Sequence, residues 1–254
     1  MAFYDGYISA IERQLSFTNP ADYNFKSDSD YTWVLEHSSV DQGNDYLKEI
    51  KQKYGFLYKI HKQLLIELCK MNDMYGKTVK HQFHDFTECS PSNLRYIFHS
   101  LLILDYAAEN NLNGIDFIEI GGGYGGLCFF LYKMASLFNI TINSYSIFDL
   151  PQALQLQERY LNALHIANIN YCNLNNPKNL KTNSFLISNY AFSEITHELQ
   201  ELYIQRVINP YTTYGFLAWN VIDLYDFVKN SKIEKEREYP LTGGNNYYVR
   251  FKPL

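Results

Sequence analysis

No apolar run in the 254 residues approaches the roughly 18–20 that a helix needs to cross a bilayer, so no membrane partner is expected. The start of the chain has no basic segment followed by an apolar core, which argues against a secretory leader. Cysteine is scarce: Cys69, Cys89, Cys128 and Cys172 include no Cys-x-x-Cys pair. Free thiols in a reducing, cytoplasmic setting are expected, rather than a disulfide frame or a zinc site. A Lys/Arg cluster is also missing and the net charge is −5, which weighs against a nucleic acid partner. The one charge run, Lys232 to Glu238, alternates in sign and reads as a solvated strand face. No internal repeat is visible. What remains is a globular composition, 46% hydrophobic, long enough for one large α/β domain with an appendage or for two smaller domains. Aromatics reach 17%; most belong to ordinary core and surface, though tyrosines at a pocket mouth could stack on a sugar or base.

The chain is organised around Asp116-Phe-Ile-Glu-Ile120 and the glycines of Gly121-Gly-Gly-Tyr-Gly-Gly126. Behind them Leu127, Leu131, Met134, Ala135 and Phe138 recur at helical spacing. Strand, glycine turn and helix together form the first unit of a nucleotide-binding α/β sheet. The turn is tight and a ligand must approach bare backbone there, which a Cβ would obstruct. Amides at the start of the following helix suit a carboxylate or phosphate. Gly121, Gly123 and Gly126 satisfy G-x-G-x-x-G, a weak signal alone. Two acids sharpen it. Glu119, just before the glycines, would repel a pyrophosphate but not a ligand bearing a cationic amino or sulfonium group. Asp149 closes the next apolar run, where a carboxylate can accept both hydrogen bonds of a ribose diol.

Before the turn, residues 1–16 carry Phe3, Tyr7, Ile8, Ile11 and Leu15, a short amphipathic helix whose apolar face predicts a lid and a homodimer contact. Residues 17–44 read as an irregular surface segment. From Tyr46 to Asn72 the periodicity is helical, clearest in Leu57, Ile60, Leu64 and Leu68, with Gly76 as a stop. His81, His84 and Asp85 have a spacing that could serve a metal; surface histidines are the alternative. Ser90-Pro91 predicts an N-cap and first-turn proline for a helix through Leu104. From residue 114 the elements alternate: strands at about 115–120, 141–148, 168–172, 184–189 and 213–219, and helices at about 124–138, 151–165, 193–208 and 221–229. Two further strands, 232–239 and 247–251, flank a Gly-Asn turn.

The words Glu119-Ile-Gly-Gly-Gly-Tyr-Gly-Gly126, Phe148-Asp-Leu-Pro151 and Ser188-Asn-Tyr-Ala-Phe-Ser-Glu194 resemble those of the class I S-adenosylmethionine (SAM)-dependent methyltransferases, most closely the sugar O-methyltransferases. The resemblance covers about 90–254 well and the region before it poorly. It implies an α/β, Rossmann-like sheet of seven strands with the last antiparallel. A helical cap or lid of residues 1–110 would precede a SAM-binding domain of residues 111–254. The implied cofactor is SAM, with S-adenosyl-L-homocysteine as product. Its methionine end would lie on Gly121, Gly122, Gly123, Tyr124 and Gly125 with Glu119, and its ribose on Asp149 beside Leu150. Asn173 and Leu174, closing the third strand, would face adenine, although the family often has an acid there. Asn189 and Tyr190 would line the methionine side. Arg95, Tyr96 and His99, on the helix before the sheet, and Ser193 would face the acceptor, a sugar or nucleotide-sugar hydroxyl. Glu194, with His197 assisting, is the candidate base for the proton released as oxygen attacks methyl. Alternatively, Ser193 caps a helix and Glu194 is a first-turn acid favourable to its dipole. A divalent cation stays open, since some members of this family use one. Rival readings are transfer to another small hydroxylated molecule, a nicotinamide-dependent oxidoreductase, or a methyltransferase fold kept only for binding.

Overall fold

The computed structural model describes residues 4–175, 177 and 179–254, so Phe3 lies outside the described residues. The chain divides into two compact units. One comprises Met1–Asp105, Gly123–Met134 and Gln155–Ala167; the other comprises Tyr106–Gly122, Ala135–Leu154 and Asn168–Leu254. They are called here the helical unit and the sheet unit.

The helical unit begins with α1 (Asp5–Leu15), two single 3-10 turns (Pro20–Asp22 and Phe25–Ser27) and α2 (Ser29–Thr32). The first helix buries Tyr7, Ala10 and Ile11, and the Tyr7 ring lies 5.1 Å from that of Tyr31. Part of its apolar face is therefore covered within its own unit, while Ile8 and Leu15 stay half-buried. The segment expected to be surface sends four side chains into the core, Tyr23, Phe25, Lys26 and Tyr31, while most of its other residues stay exposed or half-buried. Next come α3 (Val40–Lys53) and α4 (Gly55–Asn72), where one continuous helix was expected. Tyr54 leaves helical geometry at φ −121°, ψ 31°, and the poor helix former Gly55 follows it. A capping box of Ser39 and Gln42 starts α3 ahead of the expected position. On α4 the buried face is Tyr58, Leu65, Leu68 and Cys69, so Ile60 and Leu64 of the expected stripe look outward. A two-residue hairpin, β1 (His81–Gln82) and β2 (Glu88–Cys89), precedes α5 (Pro91–Glu109). Pro91 takes the first helical position as expected, but Ser90 is no side-chain cap. Its Oγ is buried without a partner, and its amide donates to Asp73 Oδ2 at 2.8 Å.

After this come β3 (Gly114–Ile120), α6 (Gly126–Met134) with a 3-10 extension to Phe138, β4 (Thr141–Phe148), α7 (Pro151–Ala163) and β5 (Ile169–Cys172). The chain continues through β6 (Ser184–Asn189), α8 (Ala191–Glu194), α9 (His197–Tyr203), a π-helical turn (Ile204–Ile208), α10 (Asn209–Tyr211), β7 (Thr212–Trp219), β8 (Ser231–Arg237) and β9 (Tyr247–Pro253). Apolar runs bounded by turns give buried parallel strands, as in β6, where only Asn189 is not fully buried. The sheet order is β5-β4-β3-β6-β7-β9-β8, with β9 antiparallel to both neighbours. This is the expected α/β sheet of seven strands with the last one antiparallel. At Gly215 of β7 a Cβ would meet the Phe251 ring at 2.2 Å, so glycine there lets β9 pack.

Two helix expectations fail. Residues 221–229 form no helix. Val221 turns left-handed at φ 62°, and the Trp219 indole captures the Ile222 carbonyl at 2.8 Å, so Phe227 enters the core from irregular chain. The helix expected at 193–208 starts at Ala191 and breaks at Ile195 and Thr196, both extended.

Candidate functional site at the carboxyl edge of the sheet

In an open parallel sheet, ligands bind beyond the carboxyl ends of the strands where the strand order reverses, here between β3 and β6. β3 ends in the glycine turn. Gly121, Gly123 and Gly125 all have positive φ, at 77°, 60° and 94°. A Cβ on Gly121 would lie 2.1 Å from that of Ala191, so no side chain can stand there while α8 packs as it does. Gly121 N donates to Phe148 O at 2.8 Å, and Ser188 Oγ donates to Ile120 O at 2.8 Å. The turn is thereby held from both neighbouring strands.

Glu119 is buried and accepts from Tyr145 Oη at 2.9 Å. Burial raises its pKa to about 8; the Tyr145 bond opposes that rise and the charge of Asp149 adds to it. Asp149 itself is partly exposed, and its Oδ1 accepts from Leu150 N at 2.8 Å. Leu150 is exposed beside it. Gly121 and both acids thus come together at the tips of two adjacent parallel strands.

Other candidates are placed differently. Tyr124 belongs to the core of the helical unit: it is fully buried, and its Oη accepts from Asn72 Nδ2 at 3.1 Å. Its contribution to a ligand is limited to backbone. Asn173 is exposed, but Oδ1, the atom expected to meet adenine, accepts from Asn175 N at 2.8 Å in a local turn. Leu174 packs against the apolar core of the sheet unit. His99 is buried in the helical unit with its ring edge-on to Tyr46 at 6.0 Å. Burial, then the charge of Arg95, pulls its pKa down to about 3, so it stays neutral core and offers no acceptor contact. Arg95 is likewise buried in that unit, its guanidinium 5.6 Å from the Tyr96 ring centroid.

At the end of β6 the backbone is strained. Tyr190, a non-glycine residue, takes φ 70°, ψ −36°, and such outliers persist only where the surroundings hold them. Its amide donates to Ala218 O at 2.8 Å, and its phenol donates to Glu238 and lies 3.2 Å from Thr242 Oγ1. Glu238 also accepts from Thr242 N at 3.0 Å and Thr242 Oγ1 at 2.7 Å. Sequence reasoning missed this carboxylate. It ends the alternating charge run, and unlike Glu234 and Glu236 it is buried. The change of environment one residue past the strand left no mark on the pattern.

A second chain of bonds runs beside it. Ser193 Oγ lies 2.8 Å from Tyr190 O and 2.6 Å from Asn220 Oδ1, and accepts from Asn220 N at 3.1 Å. Asn220 Nδ2 donates to Glu194 Oε1 at 2.6 Å. Ser193 is therefore a bridge to the end of β7 and not a helix cap; that role falls to Thr196, ahead of α9. Glu194 is exposed with one oxygen held, so its other oxygen can meet a ligand. His197 begins α9 beyond the break, its ring 6.2 Å from that of Tyr225, and does not share a helix with Glu194. As for metal ligands, Asp85 is ion-paired to Lys62 at 2.8 Å and Lys51 at 3.5 Å. Among the described residues no group of three or more His, Cys, Asp or Glu is gathered as for an ion.

No family model matches the chain, and no curated protein does. Solved structures of similar fold include the mitomycin 7-O-methyltransferase MmcR (11% identity, 65% of this chain and 57% of that one, TM-score 0.41). Another is M. capricolum TrmK with the cofactor product S-adenosyl-homocysteine (14%, 58% and 66%, TM-score 0.39). A third, a point mutant of MtNAS, is matched along its length (15%, 100% and 98%, TM-score 0.43). This chain therefore spans little more than half of the mitomycin enzyme.

Proposed function

We propose that this protein binds SAM at the carboxyl edge of its sheet and transfers the methyl group to a hydroxyl, with a sugar or nucleotide-sugar as acceptor. The observation that carries the reading is the left-handed glycine turn at the tip of β3 with Asp149 at the tip of β4. The turn suits a ligand that approaches backbone: its glycines are left-handed, and a partly exposed carboxylate stands one strand away. Gly121 to Gly125 would hold the methionine end, Asp149 the ribose diol and Glu119 a cationic group. When bound, the cofactor supplies a methyl group already activated by its sulfonium.

The chain's own part is to orient the acceptor, exclude water and take a proton. Glu194 has the chemistry for the last task. It is exposed and ionisable, and Asn220 orients it through a bond that Ser193 anchors. Tyr190, held by Glu238, would position the acceptor at the same edge. The sugar rests on the resemblance of the three quoted words to the sugar O-methyltransferases. Two variants test the reading. Asp149→Ala should weaken SAM binding by calorimetry by about 2–4 kcal/mol; unchanged affinity removes the ribose assignment. Glu194→Gln should keep SAM affinity and lower turnover by roughly 100- to 10,000-fold. Full turnover in that variant would take Glu194 out of the reaction.

A further inference from the structure

The helical unit carries a concave site built wholly from its own residues. The chain around Lys26 to Ser38, the segment Thr78 to His81 and the start of α5 enclose about 340 Å³, within the ~300–1,000 Å³ of small-molecule sites. Six hydroxyls line it, on Ser27, Thr32, Ser38, Thr78, Ser90 and Ser92, together with Glu36 and the imidazoles of His37 and His81. Three polar atoms of that lining, Glu36 Oε1, Ser38 Oγ and Ser90 Oγ, are buried without a hydrogen-bond partner. Ser90 as a whole is only 1% exposed. Buried polar atoms are nearly always satisfied, so three orphans around one cavity mark a place where bound water or a ligand completes the bonding.

The remaining groups narrow the partner's chemistry. Lys26 does not serve an anion here. Its Nζ donates to Asn72 O and Tyr160 Oη and lies 4.4 Å from the Tyr124 ring centroid, so its protons are engaged in the core. Ser27 and Thr32 donate to Asn24 O and Ser29 O, which leaves them lone pairs to offer. An apolar ligand would find little more than Val79 and Pro91 to cover it. A simple ammonium would suit Glu36 but leave the serine protons without acceptors. A molecule bearing several hydroxyls supplies a donor to the carboxylate, and both donors and acceptors to the serines.

We propose that this pocket is a binding site for a small neutral polyhydroxylated molecule of monosaccharide size. The inference is drawn from the helical unit alone and does not depend on methyl transfer. Its test is therefore run on the full chain without a methyl donor, by titration calorimetry and saturation-transfer NMR. The probes are the common aldohexoses, aldopentoses and their methyl glycosides at millimolar concentration, with hexane-1,6-diol and inorganic phosphate as controls. At least one saccharide should bind saturably while the controls do not. Ser38→Ala and Ser90→Ala should each weaken that binding about tenfold, and Glu36→Gln by at least as much. Ser90→Ala should also raise the Tm of the ligand-free protein and shrink the saccharide-induced Tm shift, which a purely structural serine would not do. Ser38→Ala should leave SAM affinity unchanged, so failure here and failure of the cofactor site are told apart. Binding by no saccharide, tighter binding of phosphate, or affinity unmoved in all three pocket variants would overturn the proposal.

Discussion

Lys26 in the helical unit and Glu119 in the sheet unit are both buried, and both are driven to a pKa of about 8 from opposite sides. In each case loss of water around the charged form is the main cause. For Lys26 the charges of Glu36 and Asp73 oppose the fall; for Glu119 the Tyr145 hydrogen bond opposes the rise and Asp149 reinforces it. Their surroundings differ. The ammonium is enclosed by Asn72, Tyr160 and the rings of Tyr124 and Phe25, parts of four separated stretches of chain. The carboxyl lies two residues before the left-handed Gly121 at a strand tip. A buried charge sealed by its own fold is a structural device. One held mostly protonated at neutral pH beside a strand-tip turn makes stability depend on pH.

The largest effect should come from breaking the sealed case. Lys26→Ala should cost about 3–5 kcal/mol in denaturant unfolding, because it empties a packed site and strips partners from Asn72 and Tyr160. Lys26→Met, which keeps the stem, should cost clearly less. If both variants unfold where the parent does, the knot is no structural device.

The protonated case is sharpened by pH. A carboxyl whose folded pKa is raised contributes stability that is fully present below the unfolded value and lost as pH rises through the folded one. Between the ordinary value of 4.5 and about 8, the folded chain holds a proton that the unfolded chain has released, so stability falls with rising pH. The Glu119 share should be about 1–3 kcal/mol. Glu119→Gln should flatten the Tm profile over that window and melt above the parent at its upper end. Parallel profiles would mean that Glu119 keeps an ordinary pKa.

The smallest effect belongs to the strained tyrosine. Tyr190→Phe removes the phenol that donates to buried Glu238, while Thr242 still supplies that carboxylate with two bonds. A loss of about 1 kcal/mol is expected, read from thermal melts. A loss several times larger would make the phenol the main prop of the strained backbone at the end of β6.

Whatever depends on neighbours along the chain was legible in the sequence. Period-two and apolar runs bounded by turn residues located the strands at residues 114–120, 141–148 and 184–189 to within a residue or so. The glycines announced a left-handed turn, because only they adopt such φ values freely, and the acids at the two strand tips came with it. Tertiary structure decided the direction in which side chains point and which distant groups they meet. Tyr124 stands in the glycine turn yet turns into the helical core. His99 looks like a pocket residue on a helix and is sealed beside Tyr46. Glu238 closes a solvated charge run and is buried under Tyr190, 48 residues away in sequence. The residues 221–229 have helical spacing, but an indole takes one of the carbonyls a helix would need. Periodicity records the average environment of a segment. A buried hydrogen bond or ion is fixed by the few atoms that close over it, and these come from parts of the chain that share no local pattern.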